Sequence, residues 1–326
     1  MKKITNILAL LSLLIMVAVA CRNQTPAHPD PEGKTEGSEA KKESINQKGF
    51  ITAINSNTSQ VVNVQLASKE TKTFSVVCRV FSSTTFDAEN KIFGYVNCNS
   101  AYGKPSDYCM INLESGEEIK QIPLSQTINF VVLDPVRHVI IGHYHYAAEG
   151  AGYKDGTDHV LTVNLDNGSV ISDKPFSAAS LWNGTTYFFR DIENEYVLIR
   201  SDYVMVFINP STGEITKTVS LETHVTNGIY DRKNDRLIGT CTDEARTENY
   251  IIAVDINTGN TLSKVTARGL GFYLGGETDY DAETNSYILV SSDNEVLFFN
   301  VETGEITEKY QLDFKITSLK FWRSSK

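Results

Sequence analysis

Apolar stretches alternate with polar turns along nearly the whole chain, and one stretch shows the unit clearly. An apolar run from Ile251 to Ile256 reaches an Asn257-Thr-Gly259 turn, and a second strand begins at Thr261. Gly259 suits such a turn because it takes positive φ without a Cβ clash. The run is apolar on both faces, so a strand built from it must be covered on both sides. One hairpin cannot supply that cover, whereas a closed ring of copies can.

The copies are present. The turn recurs as Leu113-Glu-Ser-Gly116, Leu165-Asp-Asn-Gly168, Pro210-Ser-Thr-Gly213, Ile256-Asn-Thr-Gly259 and Val301-Glu-Thr-Gly304, with glycines 52, 45, 46 and 45 residues apart. A second signature, a large apolar residue followed by Asp and a polar turn, precedes each one: Phe86-Asp87, Leu133-Asp134, Tyr230-Asp231 and Tyr280-Asp281. Arg190-Asp191 is its divergent third copy. Each period reads as four strands, near 225–230, 236–241, 249–256 and 261–266 in the fourth copy, and helical periodicity is confined to the first twenty residues. A period near 45 residues holding four short antiparallel strands is the pattern of a β-propeller blade, so the expected fold class is all-β.

Five complete blades are expected between about Val80 and Leu312. Phe50–Asn55 and Val61–Leu66 form another hairpin, and Ile316–Trp322 matches the first strand of a blade. The two ends should therefore share a closing blade, which removes the exposed edges of an open array. Six blades follow, with residues 67–79 the stretch that could belong to a seventh. On residues such as Ala253-Val-Asp-Ile-Asn-Thr-Gly259 and Tyr230-Asp231, the repeats resemble YVTN-type and quinoprotein-like propellers. Quinone-binding blades carry a docking Trp shortly after the turn glycine. None of the five stretches here has one, so the expectation is no cofactor.

The N-terminus has a different character. Lys2 and Lys3 precede a mostly apolar stretch, Ile4 to Val19, which ends in Ala18-Val-Ala-Cys21. This is the layout of a secretory signal over residues 1–20. It resembles the lipobox of bacterial lipoproteins, with Ala18 where Leu is usual. The resemblance implies a lipid on Cys21, a membrane as partner and a place in the bacterial cell envelope outside the cytoplasm. Residues 21–48 hold three prolines, two glycines and mixed charge with little apolar content, which suits a flexible tether. Residues 49–326 would then be a single propeller domain. The formal charge is −10, and residues 1–20 contribute two lysines and no acid. Such a balance argues against nucleic acid as a partner and serves solubility.

Propeller turns divide into two sets. First-to-second and third-to-fourth turns share one face and are tight here; second-to-third loops and blade-to-blade links share the other and are expected to be long. Variable loops on a rigid scaffold commonly carry binding. The candidate ligand contacts on that face are His143, His145, Tyr153, Trp182, Asn183, His224, Arg268 and Tyr273, with Tyr102, Lys104, Asn227 and Arg246 as further neighbours. Alternation puts His143 and His145 on one strand face, a weak metal pair that would need a third ligand such as His159. Cys98 and Cys109 flank a hairpin loop and could pair; Cys78 and Cys241 read as buried thiols. No nucleophile elbow is present, so no catalytic residue is assigned. The reading is a monomeric binding module for a protein or small-molecule ligand. A metal-dependent lactonase or hydrolase of the six-bladed kind, or a scaffold in envelope assembly, are the alternatives.

Overall fold

The computed structural model of the protein describes residues 49–77, 80–97, 106–146, 156–177, 186–243, 245, 247–270 and 277–324. Among them there is no helix. Twenty-four strands form six four-stranded antiparallel sheets, the blades of a six-bladed β-propeller.

Blade one is β4 (Val80–Asp87), β5 (Ile92–Asn97), β6 (Ser106–Asn112) and β7 (Glu118–Leu124). Blade two is β8 (Asn129–Asp134), β9 (Val139–Tyr146), β10 (Thr157–Asn164) and β11 (Val170–Phe176). Blade three is β12 (Tyr187–Arg190), β13 (Glu195–Ile199), β14 (Val204–Ile208) and β15 (Ile215–Ser220). Blade four is β16 (Thr226–Asp231), β17 (Arg236–Thr242), β18 (Asn249–Asp255) and β19 (Thr261–Thr266). Blade five is β20 (Thr278–Asp281), β21 (Ser286–Val290), β22 (Glu295–Asn300) and β23 (Ile306–Gln311). The closing blade takes its first strand from one end of the fold, β24 (Ile316–Arg323), and the other three from the opposite end. Those are β1 (Gly49–Asn55), β2 (Gln60–Gln65) and β3 (Thr71–Val77). Residues 71–77 are thus the fourth strand of the closing blade, and there is no seventh blade among the described residues.

The core is divided among the seams. Each of six apolar clusters joins the sheets of two neighbouring blades, so every seam has its own. This explains why the second and third strands are apolar on both faces: Ile251, Ile252, Ala253 and Val254 are all fully buried, two toward one neighbour and two toward the other. The fourth strands alternate, as β19 and β23 do, because one of their faces meets solvent. The last seam closes on Trp322, which stacks on Phe50 at 4.5 Å and donates its indole N–H to Thr52 Oγ1 at 3.0 Å.

Both turn signatures have a mechanical basis. In the first, the Asp carboxylate accepts backbone N–H groups two and three residues on, as Asp134 does from Val136 and Arg137. In the second, an Asx residue ahead of the apolar one plays the same part: Asn112, Asn164, Asn209, Asp255 and Asn300. The glycine that follows has φ between 69° and 81° in all five copies. It also meets the neighbouring blade. A Cβ on Gly259 would stand 2.0 Å from the Ser220 carbonyl oxygen, and one on Gly304 would stand 2.1 Å from that of Thr266. The repeat therefore marks where blades dock, as well as where strands turn.

Two expectations need correction. Pairing places Phe189 opposite Tyr196 and Arg190 opposite Glu195, as Tyr230 and Asp231 stand opposite Leu237 and Arg236. In blade three it is therefore Phe189 that holds the apolar position, and Arg190 stands where the other copies have Asp. The second set of connections is also not uniformly long. Those at 56–59, 200–203 and 291–294 are four-residue turns.

Candidate functional site

The six first strands, β4, β8, β12, β16, β20 and β24, touch in that order around a ring and wall a central channel. Their burial explains how they do so. In β8 and β16 the pattern is two half-buried residues, one buried, two half-buried, then a buried Asp. The buried middle residue packs into the blade and its half-buried neighbours border the channel. Three of these strands contain a left-handed non-glycine residue at the end away from the tight turns: Phe130 at φ 54°, Asn227 at 51° and Ser318 at 61°. Each sits at a bulge in the ladder, which redirects side chains and frees a carbonyl. Two of the freed carbonyls are used by buried tyrosines of the next blade: Tyr196 donates to Phe130 O at 2.6 Å and Tyr287 to Asn227 O at 2.8 Å.

The channel encloses a cavity of about 530 Å³. Its wall is two-sided. Blades two and three contribute Phe130, Val132, Tyr187, Phe188 and Phe189. Blade five and the closing blade contribute Glu277, Thr278, Asp279, Ser318 and Lys320. Across the ring, β12 stands opposite β24, so the aromatic and charged walls face each other. The carboxylates are held by backbone. Asp279 Oδ2 accepts the Phe321 N–H at 2.6 Å and its Oδ1 the Tyr280 N–H at 2.9 Å. Glu277 accepts from Ser318 and Leu319 N–H. Burial pushes both carboxyls above the ordinary range; the Lys320 charge and these N–H groups pull the other way without cancelling it.

The opposite end of the ring is stitched by ion pairs between blades. Arg190 reaches Glu195 at 2.8 Å in its own blade and Asp235 at 2.9 Å in the next. Arg236 pairs with Asp231 at 2.8 Å and donates to Asn285 Oδ1 at 2.9 Å. These side chains are committed to structure; among the described residues, the channel wall holds ionisable groups that are not paired in this way.

The predicted contacts scatter. Tyr153, Trp182, Asn183, Tyr273, Tyr102, Lys104 and Arg246 lie outside the described residues, as do Cys21, Cys78 and Cys98. Asn227 borders the channel. His143 lies just behind it, stacked on Phe130 at 5.8 Å. His224 packs on Tyr203 in blade three, ring centroids 4.2 Å apart. Arg268 is at the outer rim, its N–H on the Gly304 carbonyl and its guanidinium 3.4 Å from Glu305, because the end of β19 leans on the neighbour's turn.

His143 and His145 do share a strand face, but His159 does not join them. It pairs with Tyr144 across the ladder and so lies on the other face, with Nδ1 2.8 Å from Asp173. The group between the two histidines is Asp158, whose Oδ1 is 2.9 Å from His143 Nε2 and 3.0 Å from His145 Nδ1. Burial alone would raise the Asp158 carboxyl; the two histidine hydrogen bonds outweigh it and hold it below the usual range. Among the described residues no three His, Cys, Asp or Glu side chains have the arrangement of a metal site. Cys109 pairs across the ladder with Tyr95, three residues before Cys98, and is a free buried thiol whose pKa burial raises to about 11. Cys241 is also free and buried.

No protein-family model and no curated protein matches the sequence. The fold is shared with a solved propeller. TolB from Acinetobacter baumannii superposes with a TM-score of 0.58 at 12% identity over 84% of this chain. The dihydro-heme d1 dehydrogenase NirN, in complex with DHE, gives 0.46 at 13% identity over 84%. The chain spans 66% of each of those proteins, just under two thirds of their length.

Sequence reasoning missed Glu277, Asp279 and Lys320. A signal was available: pairing aligns Asp279 with Val132 and Ile229, and Lys320 takes the same place in β24. Two charges at a position held by Val132, Phe188 and Ile229 in blades two, three and four stand out once the repeats are stacked.

Proposed function

We propose that this protein is an exported, lipid-anchored propeller that binds a small ligand in its central channel, entered from the end away from the tight turns. The observation that carries the reading is the charged wall. Three ionisable side chains are kept half-buried at the channel, and two of them, Asp279 and Lys320, stand where blades two and four have Val132 and Ile229. Holding charge out of water costs stability, and well-packed apolar residues would close the ring more firmly. A cavity of about 530 Å³ with a few convergent polar groups and an aromatic wall has the size and lining of a small-molecule site. The anchor rests on the basic start, the apolar run and the Ala20-Cys21 junction.

The two parts are tested separately. Metabolic labelling with a radioactive fatty acid should mark the wild type and not Cys21→Ser, which should move to the soluble fraction. For the channel, small-molecule panels screened by thermal shift should yield a ligand whose effect is lost in Lys320→Met. Ligands that act equally on both proteins would remove the channel from consideration.

A further inference from the structure

We propose that the channel ligand is a neutral sugar, its ring laid against the aromatic wall of blade three and its hydroxyls hydrogen-bonded to the wall built by Glu277, Asp279 and Lys320. This rests on the channel being the binding site.

Charge comes first. Fully ionised, the wall holds two carboxylates against one ammonium, and burial favours the neutral form of both carboxyls. The site therefore has no large net charge with which to hold an ion. An anion would also work against the overall charge of −10. A cation would find both carboxylates already engaged by backbone N–H groups and beside the Lys320 charge.

Hydrogen-bonding capacity comes second. Lys320 and Asn227 supply donors, and the remaining lone pairs of Glu277 and Asp279 supply acceptors. The Ser318 hydroxyl can do either, and the Thr278 hydroxyl, whose proton goes to the Asn227 carbonyl, can accept. A sugar hydroxyl both donates and accepts, so a row of hydroxyls uses a mixed wall fully, whereas an amine or a carboxylate uses half of it. The third element is the facing surface. Tyr187 and Phe189 are half-buried on β12, opposite β24. The C–H face of a pyranose packs on such rings while its hydroxyl edge points away from them. A cavity of about 530 Å³ holds one or two such rings with water to spare.

The test uses the mature chain with Cys21→Ser, to avoid detergent. D-glucose, D-galactose, D-mannose and their β-1,4-linked disaccharides are titrated by calorimetry and by saturation-transfer NMR, alongside L-lysine, L-glutamate and spermidine. The expected result is millimolar or tighter binding of at least one neutral sugar, with transfer strongest at its C–H face. Lys320→Met and Tyr187→Ala should each weaken it about tenfold or more. Tyr187→Phe, which keeps the ring and is the safer variant for folding, should change it about twofold at most. Arg268→Ala at the rim should leave it unchanged. Binding of a charged compound but of no sugar, lost in Lys320→Met, overturns the sugar assignment and leaves the channel reading standing. Sugar binding that survives both wall variants overturns the placement, and no binding of any compound overturns both.

Discussion

Replacing Trp322 by alanine tests the closure of the ring at its narrowest point. The side chain is 7% exposed, stacks on Phe50 with an interplanar angle of 16°, and satisfies Thr52 through a buried hydrogen bond. An aromatic of this kind buries about 150–250 Å², which at about 25 cal/mol/Å² gives roughly 4–6 kcal/mol. That is an upper figure, since the unfolded chain already hides part of the surface. Aromatic-to-alanine changes in cores cost about 3–5 kcal/mol, so about 4 kcal/mol is expected. Trp322→Phe keeps most of the stacking and loses the N–H bond, for about 1–2 kcal/mol.

The assay is urea unfolding followed by far-UV circular dichroism, with the loss read from the midpoint at constant slope. A double-mutant cycle with Phe50→Ala should return a coupling of about 1 kcal/mol between the stacked rings. Kinetics add a second reading. Trp322 and Thr52 are 270 residues apart, so their contact closes one of the longest loops in the fold, with the rest of the β1–β24 ladder, and should form late. The alanine variant should then mainly speed unfolding and leave refolding nearly unchanged. A loss under about 1 kcal/mol, or a slower refolding limb with no change in unfolding, would refute a ring closed on this pair.

The remaining predictions concern turns, seams and pH. Gly259→Ala and Gly168→Ala both strain a left-handed position at about 1–2 kcal/mol. Only Gly259 would also strike a backbone oxygen at 2.0 Å, against a contact of 3.1 Å with the Ile122 side chain for Gly168. Gly259→Ala should therefore lower the midpoint clearly further, and equal losses would remove blade docking as the second demand on the turn. Tyr287→Phe should cost about 1 kcal/mol by removing the shorter of the two hydrogen bonds on the Asn227 carbonyl, measured in the same way. Asp279, with its pKa raised by burial, binds its proton more tightly in the folded than in the unfolded state. It therefore withdraws stability as pH rises from the ordinary carboxylate range through its folded value. The melting temperature of Asp279→Asn minus that of wild type should rise across that window; a flat or falling difference contradicts it. Asp231 has the opposite sign. Burial is outweighed by Asn234 and Arg236, its carboxyl is held below the usual range, and its contribution is present above that range and lost as pH falls through its folded value. Asp231→Asn should accordingly flatten the acid limb of a stability–pH curve.

The architecture was legible because each blade obeys local rules that leave marks in sequence. Asp134 and Gly168 mark turns through φ and Asx hydrogen bonds, and the run Ile251–Val254 marks a strand covered on both sides. None of this requires knowledge of distant residues. Arg190 was misread because Asp191 beside it imitates the signature, and only pairing with Glu195 fixes the register. The face of His159 could not be read for the same reason: a one-residue choice of partner moves a side chain across the sheet, and the partner is Tyr144. The loop argument failed at 56–59, 200–203 and 291–294, where the connections are short. It placed Arg268 at the channel mouth because sequence does not record how far blade twist carries the end of β19 toward its neighbour.

Position within the blade also separates residues that serve folding from those that need another explanation. Val132, Ile229, Asp279 and Lys320 occupy one structural position in four blades, so they share backbone geometry and nearly share surroundings. Only two of them serve burial. If Asp279 and Lys320 merely bridged the seam between blade five and the closing blade, a direct ion pair between them would be the economical arrangement, as Arg190 and Asp235 make at the other end. Asp279 instead takes its partners from the backbone, Phe321 N–H above all. Lys320 acts on it only as a neighbouring charge, with its ammonium left at the cavity. Double replacement by Ile229-like residues, Asp279→Ile with Lys320→Ile, should therefore cost far less stability than breaking a buried ion pair, about 3–5 kcal/mol, while abolishing whatever the channel binds. A double variant as unstable as Arg236→Ala, which does break such a pair, would return these two charges to the scaffold.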